Sequence, residues 1–297
     1  MKKLVVIGIV AVVLNTTFAQ EFKVAKSTGR LELNIGRVTV EGYNGNEIVF
    51  SSKDHREKED ERAICWLAEK GTNICFASGR FTHRIDEVVK RFAFPYYTTG
   101  LNGATMLLPD GNLFHESSFE NTVAQEIYRY IHKKGLADIV CANEQRYTKR
   151  KNEHHHNFEA YMGVHIAEIE ALEEEFGKTV HPAKLFVFGE EEKIVTLDQE
   201  LRDTFQGEAE VFISGKRYVD IMPRGVSKGS ALKRLMDHLQ IEANEVACIG
   251  DSFNDISMFE VTPHSFTLHH AHPYVKEKAN HIVRSVEEAV MKLPLLV

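Results

Sequence analysis

The sequence predicts an α/β fold: a parallel sheet core with helices on both faces, into which a smaller α+β unit is inserted. Three observations carry that expectation. Short, uninterrupted apolar runs such as Asn73-Ile74-Cys75-Phe76-Ala77 and Val246-Ala247-Cys248-Ile249 suit strands buried on both faces. Each run ends in a small-residue loop, Ser78-Gly79-Arg80 or Gly250-Asp251, and helical stripes flank them: Ile85, Val88, Val89 and Phe92 after the first, and Leu232, Leu235, Met236 and Leu239 before the second. Between these halves, roughly 106–221, the pattern changes to hairpins and amphipathic helices.

Residues 1–20 admit two readings. Lys2-Lys3, the apolar run Leu4–Val13 and the small Ala19 before Gln20 form the pattern of a secretory signal peptide, too short for a stable membrane span. Leu4-Val5-Val6-Ile7 equally suits a buried first β-strand. The charged start and the small residue at the end favour the leader, which would place the protein outside the cytoplasm or in the periplasm.

Residues 21–62 form a β-rich extension of two or three antiparallel strands. Leu31, Leu33 and Ile35 alternate with polar neighbours, Val38 and Val40 resume the alternation, and Tyr43-Asn44-Gly45-Asn46 supplies a turn before Ile48-Val49-Phe50. Asp54 to Arg62 reads as a solvated linker or a first helical turn. The first part of the core, 63–105, opens with a short helix over Ala63–Lys70, stopped by Gly71 and carrying Trp66 toward the core.

In the inserted unit, 106–221, Pro109-Asp110-Gly111-Asn112 is a hairpin turn. Ser117 with Glu120 boxes the start of a helix through Val123, Ile127 and Ile131 to Gly135. Val164, Ile166, Ile169, Leu172 and Phe176 predict a second amphipathic helix. Strands follow at Leu185–Phe188, Glu210–Ile213 and Tyr218–Ile221. Residues 222–297 complete the core.

Composition narrows the function. The 297 residues are 43% apolar, enough for a sizeable core, and Lys+Arg 36 against Asp+Glu 43 gives a net charge of −7 with no basic block, which excludes nucleic acid as a partner for the surface as a whole. Cys65, Cys75, Cys141 and Cys248 are scattered, so buried thiols are expected rather than disulfides or zinc.

The loop Gly250–Met258 holds Asp251 and Asp255 on either side of Asn254, hard oxygen donors suited to Mg²⁺ at a strand end. Ser227-Lys228-Gly229-Ser230 opens a helix with a lysine, which the helix dipole disfavours unless an anion compensates it. Ser78-Gly79 adds a hydroxyl and a flexible amide at another strand end. Together they describe a phosphate held by Ser78 and Lys228 with a metal at Asp251. His154-His155-His156 reads as a solvated loop, and His264, His269, His270 and His272 as surface residues or outer neighbours of the acidic loop. Arg146, Lys149, Arg150 and Lys151 form either a solvated face or a patch that recruits an anionic substrate.

From about Ala63 to the C-terminus the chain resembles the haloacid dehalogenase-like superfamily, specifically its Cof-type sugar-phosphate phosphatases. Four segments carry the resemblance: Ala77-Ser78-Gly79-Arg80, Leu101-Asn102-Gly103-Ala104, Gly225-Val226-Ser227-Lys228-Gly229 and the loop Gly250–Met258. It implies a Rossmann-like core with a mobile cap domain between the second and third segments, and a cytoplasmic phosphoric monoester hydrolase acting on a small phosphorylated metabolite. It further implies that Ser78 and Gly79 bind the transferred phosphoryl group and that Lys228 neutralises it. Asp251 would ligate Mg²⁺, Asn254 and Asp255 complete the acidic loop as substrate-binding and as metal and catalytic residues, and Asn102-Gly103 line the site near the cap hinge.

The family's first motif, a strand running into Asp-x-Asp-Gly-Thr whose first Asp attacks phosphorus, has no counterpart upstream of Ser78. Two segments compete for its place. After Leu4–Ile7 the acids are replaced by Gly8 and Val10; after Glu47–Phe50 they are replaced by Ser51 and Lys53. Three readings follow: a phosphatase impaired by loss of its nucleophile, a non-catalytic binder of phosphate ligands, and an exported β-rich surface protein joined to a truncated phosphatase body.

Overall fold

The structure, a computed structural model, describes residues 3–8, 22–25, 39–40, 47–51, 55–215 and 217–293. In chain order its strands are β1 (Leu4–Gly8), β2 (Phe22–Ala25), β3 (Thr39–Val40), β4 (Glu47–Ser51), β5 (Asn73–Ala77), β6 (Tyr96–Gly100), β7 (Thr105–Leu107), β8 (Leu113–Glu116), β9 (Ala137–Ala142), β10 (Gln145–Thr148), β11 (Ala167–Glu168), β12 (Lys184–Phe188), β13 (Ala209–Gly215), β14 (Tyr218–Pro223), β15 (Val246–Gly250), β16 (His264–Leu268) and β17 (His281–Val283). The helices are α1 (His55–Glu69), α2 (Thr82–Val89), α3 (Asn121–His132), α4 (Glu153–Met162), α5 (Glu191–Thr204), α6 (Lys228–Leu239), α7 (Ile256–Phe259), α8 (Pro273–Lys278) and α9 (Val286–Met291).

The core is an eight-stranded sheet in the order β17-β16-β15-β1-β5-β6-β7-β8. It is parallel from β17 to β6 and closes with an antiparallel hairpin. Successive side chains of a strand point to opposite faces, and both faces of this sheet are covered. Val5, Ile7, Ile74, Phe76, Ala247 and Ile249 pack with Ile64, Leu67, Ile85, Val89, Val286 and Val290 of α1, α2 and α9. Leu4, Val6, Cys75 and Cys248 pack on the other side with Leu232 and Leu235 of α6, Met258 and Val275.

Of the two readings of the first residues, the described ones take the form of the strand. β1 lies between β15 and β5, with Leu4 opposite both Val246 and Asn73, and Leu4 to Ile7 are at most 2% exposed. A chain start of this composition satisfies a leader's pattern and a central strand's alike. The expectation at 9–20 lies outside the described residues. β4 pairs with β2 and β3 in a separate three-stranded antiparallel sheet, so Glu47–Phe50 does not take the central place in the core. The alternation expected over Leu31–Ile35 also falls outside the described residues.

The inserted segment forms a six-stranded sheet, β11-β10-β9-β12-β14-β13, one face of which packs on α3 and α5 through Ile127, Tyr128, Ile131, Val140, Leu185, Ile194, Leu197 and Val219. Its start differs from the expected boundary at 106. The β7–β8 hairpin pairs with β6, Thr98 opposite Leu107 and Thr99 opposite Met106, and therefore belongs to the core sheet.

Several local expectations are corrected. No helix covers Val164–Phe176: Gly163 ends α4 in a left-handed conformation (φ 60°), and the segment becomes β11 and a 3₁₀ turn at Leu172–Glu175 that buries Ile166, Leu172 and Phe176 one at a time. The helix forms instead over the histidine triplet. Asn152 caps it, and His155 is fully buried with Nε2 3.0 Å from the Asp138 carbonyl, so the triplet is not a solvated loop. Ser117 does not box α3; His115 Nε2 lies 2.8 Å from its hydroxyl. Trp66 is 40% exposed rather than core, with the Lys70 ammonium 5.7 Å from its ring centroid. Cys75, Cys141 and Cys248 are buried free thiols, and Cys65 is partly exposed. Among the described residues no helix is long and apolar enough to cross a membrane.

Candidate active site

The four segments singled out in the sequence meet at the carboxyl ends of β1, β5 and β15. Ser227 caps α6 by accepting from Ser230 N–H, which sets Lys228 at the first turn of the helix. Two glycines allow the close packing this requires. A Cβ on Gly229 would stand 2.0 Å from the Ser257 carbonyl oxygen, and one on Gly103 would stand 2.3 Å from that of Ser227. Only a residue without a side chain lets these backbones touch.

Lys228 and Asp255 form the buried centre. The ammonium lies 2.6 Å from Asp255 Oδ1, and both side chains are inaccessible. Asp255 Oδ2 accepts the N–H groups of Asp251 at 3.0 Å and Ser252 at 2.9 Å. Through these three bonds Asp255 ties Lys228 to the loop.

Asp251 is free to act differently. Its Oδ2 lies 3.1 Å from His270 Nε2, while Oδ1 is buried with no hydrogen-bond partner among the described residues. Burial first, and then the neighbouring Asp255, push its carboxyl above the usual range, against the opposing pull of His270 and Lys228. Asn254 donates Nδ2 to Asn102 Oδ1 at 2.8 Å and leaves Oδ1 likewise buried and unpartnered. Two orphaned oxygens in one loop fit a hard divalent cation such as Mg²⁺, which binds through one or two carboxylates and fills its remaining positions with water or substrate oxygens. Among the described residues no group of three His, Cys, Asp or Glu gathers to hold a metal on side chains alone.

Ser78 is 1% exposed at the end of β5, and its Oγ accepts from Arg80 N–H at 3.3 Å. Its carbonyl accepts from Asn102 N–H at 3.0 Å, tying the two segments together. Asn102 adopts φ 54°, ψ 25°, a left-handed conformation that Asn tolerates better than most residues. Gly79 stands against it, since a Cβ there would lie 2.9 Å from Asn102 Oδ1.

Gly8 ends β1 at the middle of this arrangement. A Cβ at that position would stand 3.0 Å from Asp255 Oδ1 and 3.1 Å from the Ile249 carbonyl oxygen. The strand end that faces Lys228 and Asp255 therefore carries no side chain.

Two residues of the six-stranded sheet escaped the sequence reading. Lys184 and Asp220 are 6% and 1% exposed, pair at 2.8 Å, and reach the core: Lys184 Nζ donates to the Gly79 carbonyl at 3.2 Å, and Asp220 Oδ2 accepts from Asn102 Nδ2 at 2.7 Å. The available signal was a charge inside each of two apolar strands, Lys184-Leu185-Phe186-Val187 and Val219-Asp220-Ile221. At the rim, Glu144 of the β9–β10 turn lies 2.6 Å from His83 and accepts from Thr82 Oγ1 at 3.2 Å, and Arg146 stacks on Phe81 at 4.7 Å. Of the expected basic run, Lys151 is spent on Glu159 at 2.9 Å.

Comparison with known proteins agrees with this architecture. A Bacillus subtilis 5-amino-6-(5-phospho-D-ribitylamino)uracil phosphatase is 41% identical over 75 residues, 25% of this chain and 26% of its own length. A relative from Haemophilus influenzae is 29% identical over 39% of this chain and 44% of its length, so the chain spans a quarter to under half of these two relatives. An HMP-PP phosphatase of Citrobacter koseri is 20% identical over 77% of this chain and 83% of its length. Among solved structures, a haloacid dehalogenase-like hydrolase from Bacillus subtilis superposes with a TM-score of 0.70 at 20% identity, covering 80% of this chain and 93% of the other. One from Bacteroides thetaiotaomicron gives 0.68 at 19% identity over 98% and 99%. The family profile described as haloacid dehalogenase-like hydrolase matches residues 48–293, and the chain belongs to that family.

Proposed function

We propose that the crevice at the ends of β1, β5 and β15 receives the phosphoryl group of a small phosphorylated metabolite of the sugar-phosphate class, and that the chain acts on it as a phosphoric monoester hydrolase impaired at its nucleophile. The links that join the four distant segments support this reading: Asn102 to Ser78 and to Asn254, Gly103 against Ser227, and Lys228 to Asp255. The ammonium has three donors and one acceptor, Asp255, among the described residues, so it has N–H groups left for phosphate oxygens. Ser78 offers its hydroxyl proton. Mg²⁺, held by Asp251 with Asn254 beside it, would supply positive charge against the phosphoryl oxygens. The cap, seated through Lys184, Asp220 and Glu144, would exclude water from the crevice and choose the substrate.

A second reading, binding without turnover, is favoured by Gly8. In the family the carboxylate at this strand end attacks phosphorus, and removing a covalent nucleophile typically lowers the rate by about 10⁴–10⁶. One experiment separates the two: a panel of sugar phosphates assayed for release of inorganic phosphate, alongside calorimetric titration with the same compounds. Turnover that Asp251→Ala abolishes supports the hydrolase. Saturable binding without turnover supports the binder, and neither binding nor turnover with any compound overturns both.

A further inference from the structure

The two buried polar residues of the cap join a relay that runs into the core loop. Lys184 pairs with Asp220 at 2.8 Å, Asp220 Oδ2 accepts from Asn102 Nδ2 at 2.7 Å, and Asn102 Oδ1 accepts from Asn254 Nδ2 at 2.8 Å. A carboxylate paired with an ammonium accepts hydrogen bonds and donates none. Asn102 must therefore turn its amino group to Asp220 and its oxygen to Asn254. Asn254 must in turn offer its amino group to Asn102, which leaves Asn254 Oδ1 buried with no hydrogen-bond partner among the described residues. An amide has no intrinsic preference between its two flips. Here the charge on Asp220 sets both, from a residue 34 positions back in the chain and on another domain.

We propose that Asp220 is a positioning residue: through Asn102 it holds the Asn254 amide in the flip that places an acceptor oxygen in the same loop as Asp251 Oδ1, and so prepares that loop for a divalent cation. The inference rests on the reading of the Asp251 loop as a cation site. Lys184 keeps Asp220 acceptor-only out of contact with water. Without the carboxylate, Asn254 is free to present its amino group instead, and a donor repels a cation where an acceptor would hold it.

The test is calorimetric titration of the full-length protein with Mg²⁺, with side-chain amide resonances of Asn102 and Asn254 followed by NMR. Asp220→Asn is isosteric and is expected to weaken Mg²⁺ about 10–100-fold, the usual effect of losing an outer partner of a metal site. The exchanged pair Asn102→Asp/Asp220→Asn restores the direction of the relay, because a carboxylate at position 102 only accepts, and is expected to return the affinity to that of the wild type. An aspartate is also at home in the left-handed backbone at that position. Lys184→Met/Asp220→Asn leaves the local net charge unchanged and is expected to remain weak. Unaltered Mg²⁺ affinity in Asp220→Asn, a folded exchanged pair that stays weak, or recovery in Lys184→Met/Asp220→Asn would each overturn the positioning role. Wild-type protein that takes up no Mg²⁺ would overturn the cation reading itself, and this inference with it.

Discussion

Asp251 and Asp255 occupy one loop, yet their surroundings assign them opposite tasks. Asp255 is buried and accepts from Lys228 and two backbone amides. Removing one partner of a buried ion pair leaves an uncompensated charge, which costs about 3–5 kcal/mol. Lys228→Met is accordingly expected to lower the free energy of unfolding by that amount in urea titrations, and to abolish binding of inorganic phosphate. Asp251 holds its proton to higher pH when folded than when unfolded, because burial and Asp255 raise its carboxyl above the ordinary range. The native state therefore binds the extra proton in that window, and this group's contribution to stability is full below the ordinary carboxylate range and lost as pH rises through the folded value. At neutral pH the ionised Asp251 is a net cost. Asp251→Asn is expected to melt at a higher temperature than the wild type at pH 7 in the absence of divalent cations, with the difference narrowing on acidification. A lower melting temperature at pH 7 would mean that the pair with His270 outweighs burial.

At the scale of elements, the site is held by close approaches of backbone rather than by side-chain packing. The first turn of α6 touches the start of α7 at Gly229, where an added methyl would lie 2.0 Å from the Ser257 carbonyl oxygen. Backbone cannot retreat as a flexible side chain can, so Gly229→Ala is expected to cost about 1–3 kcal/mol and to displace Lys228. Thermal melts with phosphate titration check this: a loss of binding larger than the loss of stability is the expected outcome. These glycines were legible as motif letters, but the contact that requires them joins residues distant in sequence and needs coordinates. The same limit explains the rest. Asn73–Ala77 and Val246–Gly250 form as their apolar runs predict, because a strand buried on both faces writes its whole environment into its composition. Val164–Phe176 departs from the expected helix because its apolar residues fall at helical intervals while Gly163 has already ended the helix, and its buried side chains pack separately beside the six-stranded sheet. Lys184 and Asp220 hide in apolar strands, where each charge looks out of place until its partner is seen.

The whole molecule depends on a strand that the sequence left ambiguous. β1 lies at the middle of the eight-stranded sheet and contributes Val5 and Ile7 to one apolar layer and Leu4 and Val6 to the other. Burying each such side chain is worth about 1.5–3 kcal/mol, so the strand contributes roughly 6–12 kcal/mol, comparable with the whole stability of an ordinary domain at about 5–15 kcal/mol. Its removal would also expose the facing edges of β15 and β5, and unpaired edges invite association. A truncated chain beginning at Gln20 is therefore expected to be insoluble, or to lack the cooperative melt of the full-length protein. Circular dichroism and gel filtration of the two forms check it. Residue 8 would be lost as well, but a glycine there contributes no side chain to the site, so a soluble, cooperatively folded truncation that still binds phosphate would show that the core closes without β1. The place opposite Lys228 would then belong to another segment, and the absence of a nucleophile at Gly8 would no longer bear on turnover.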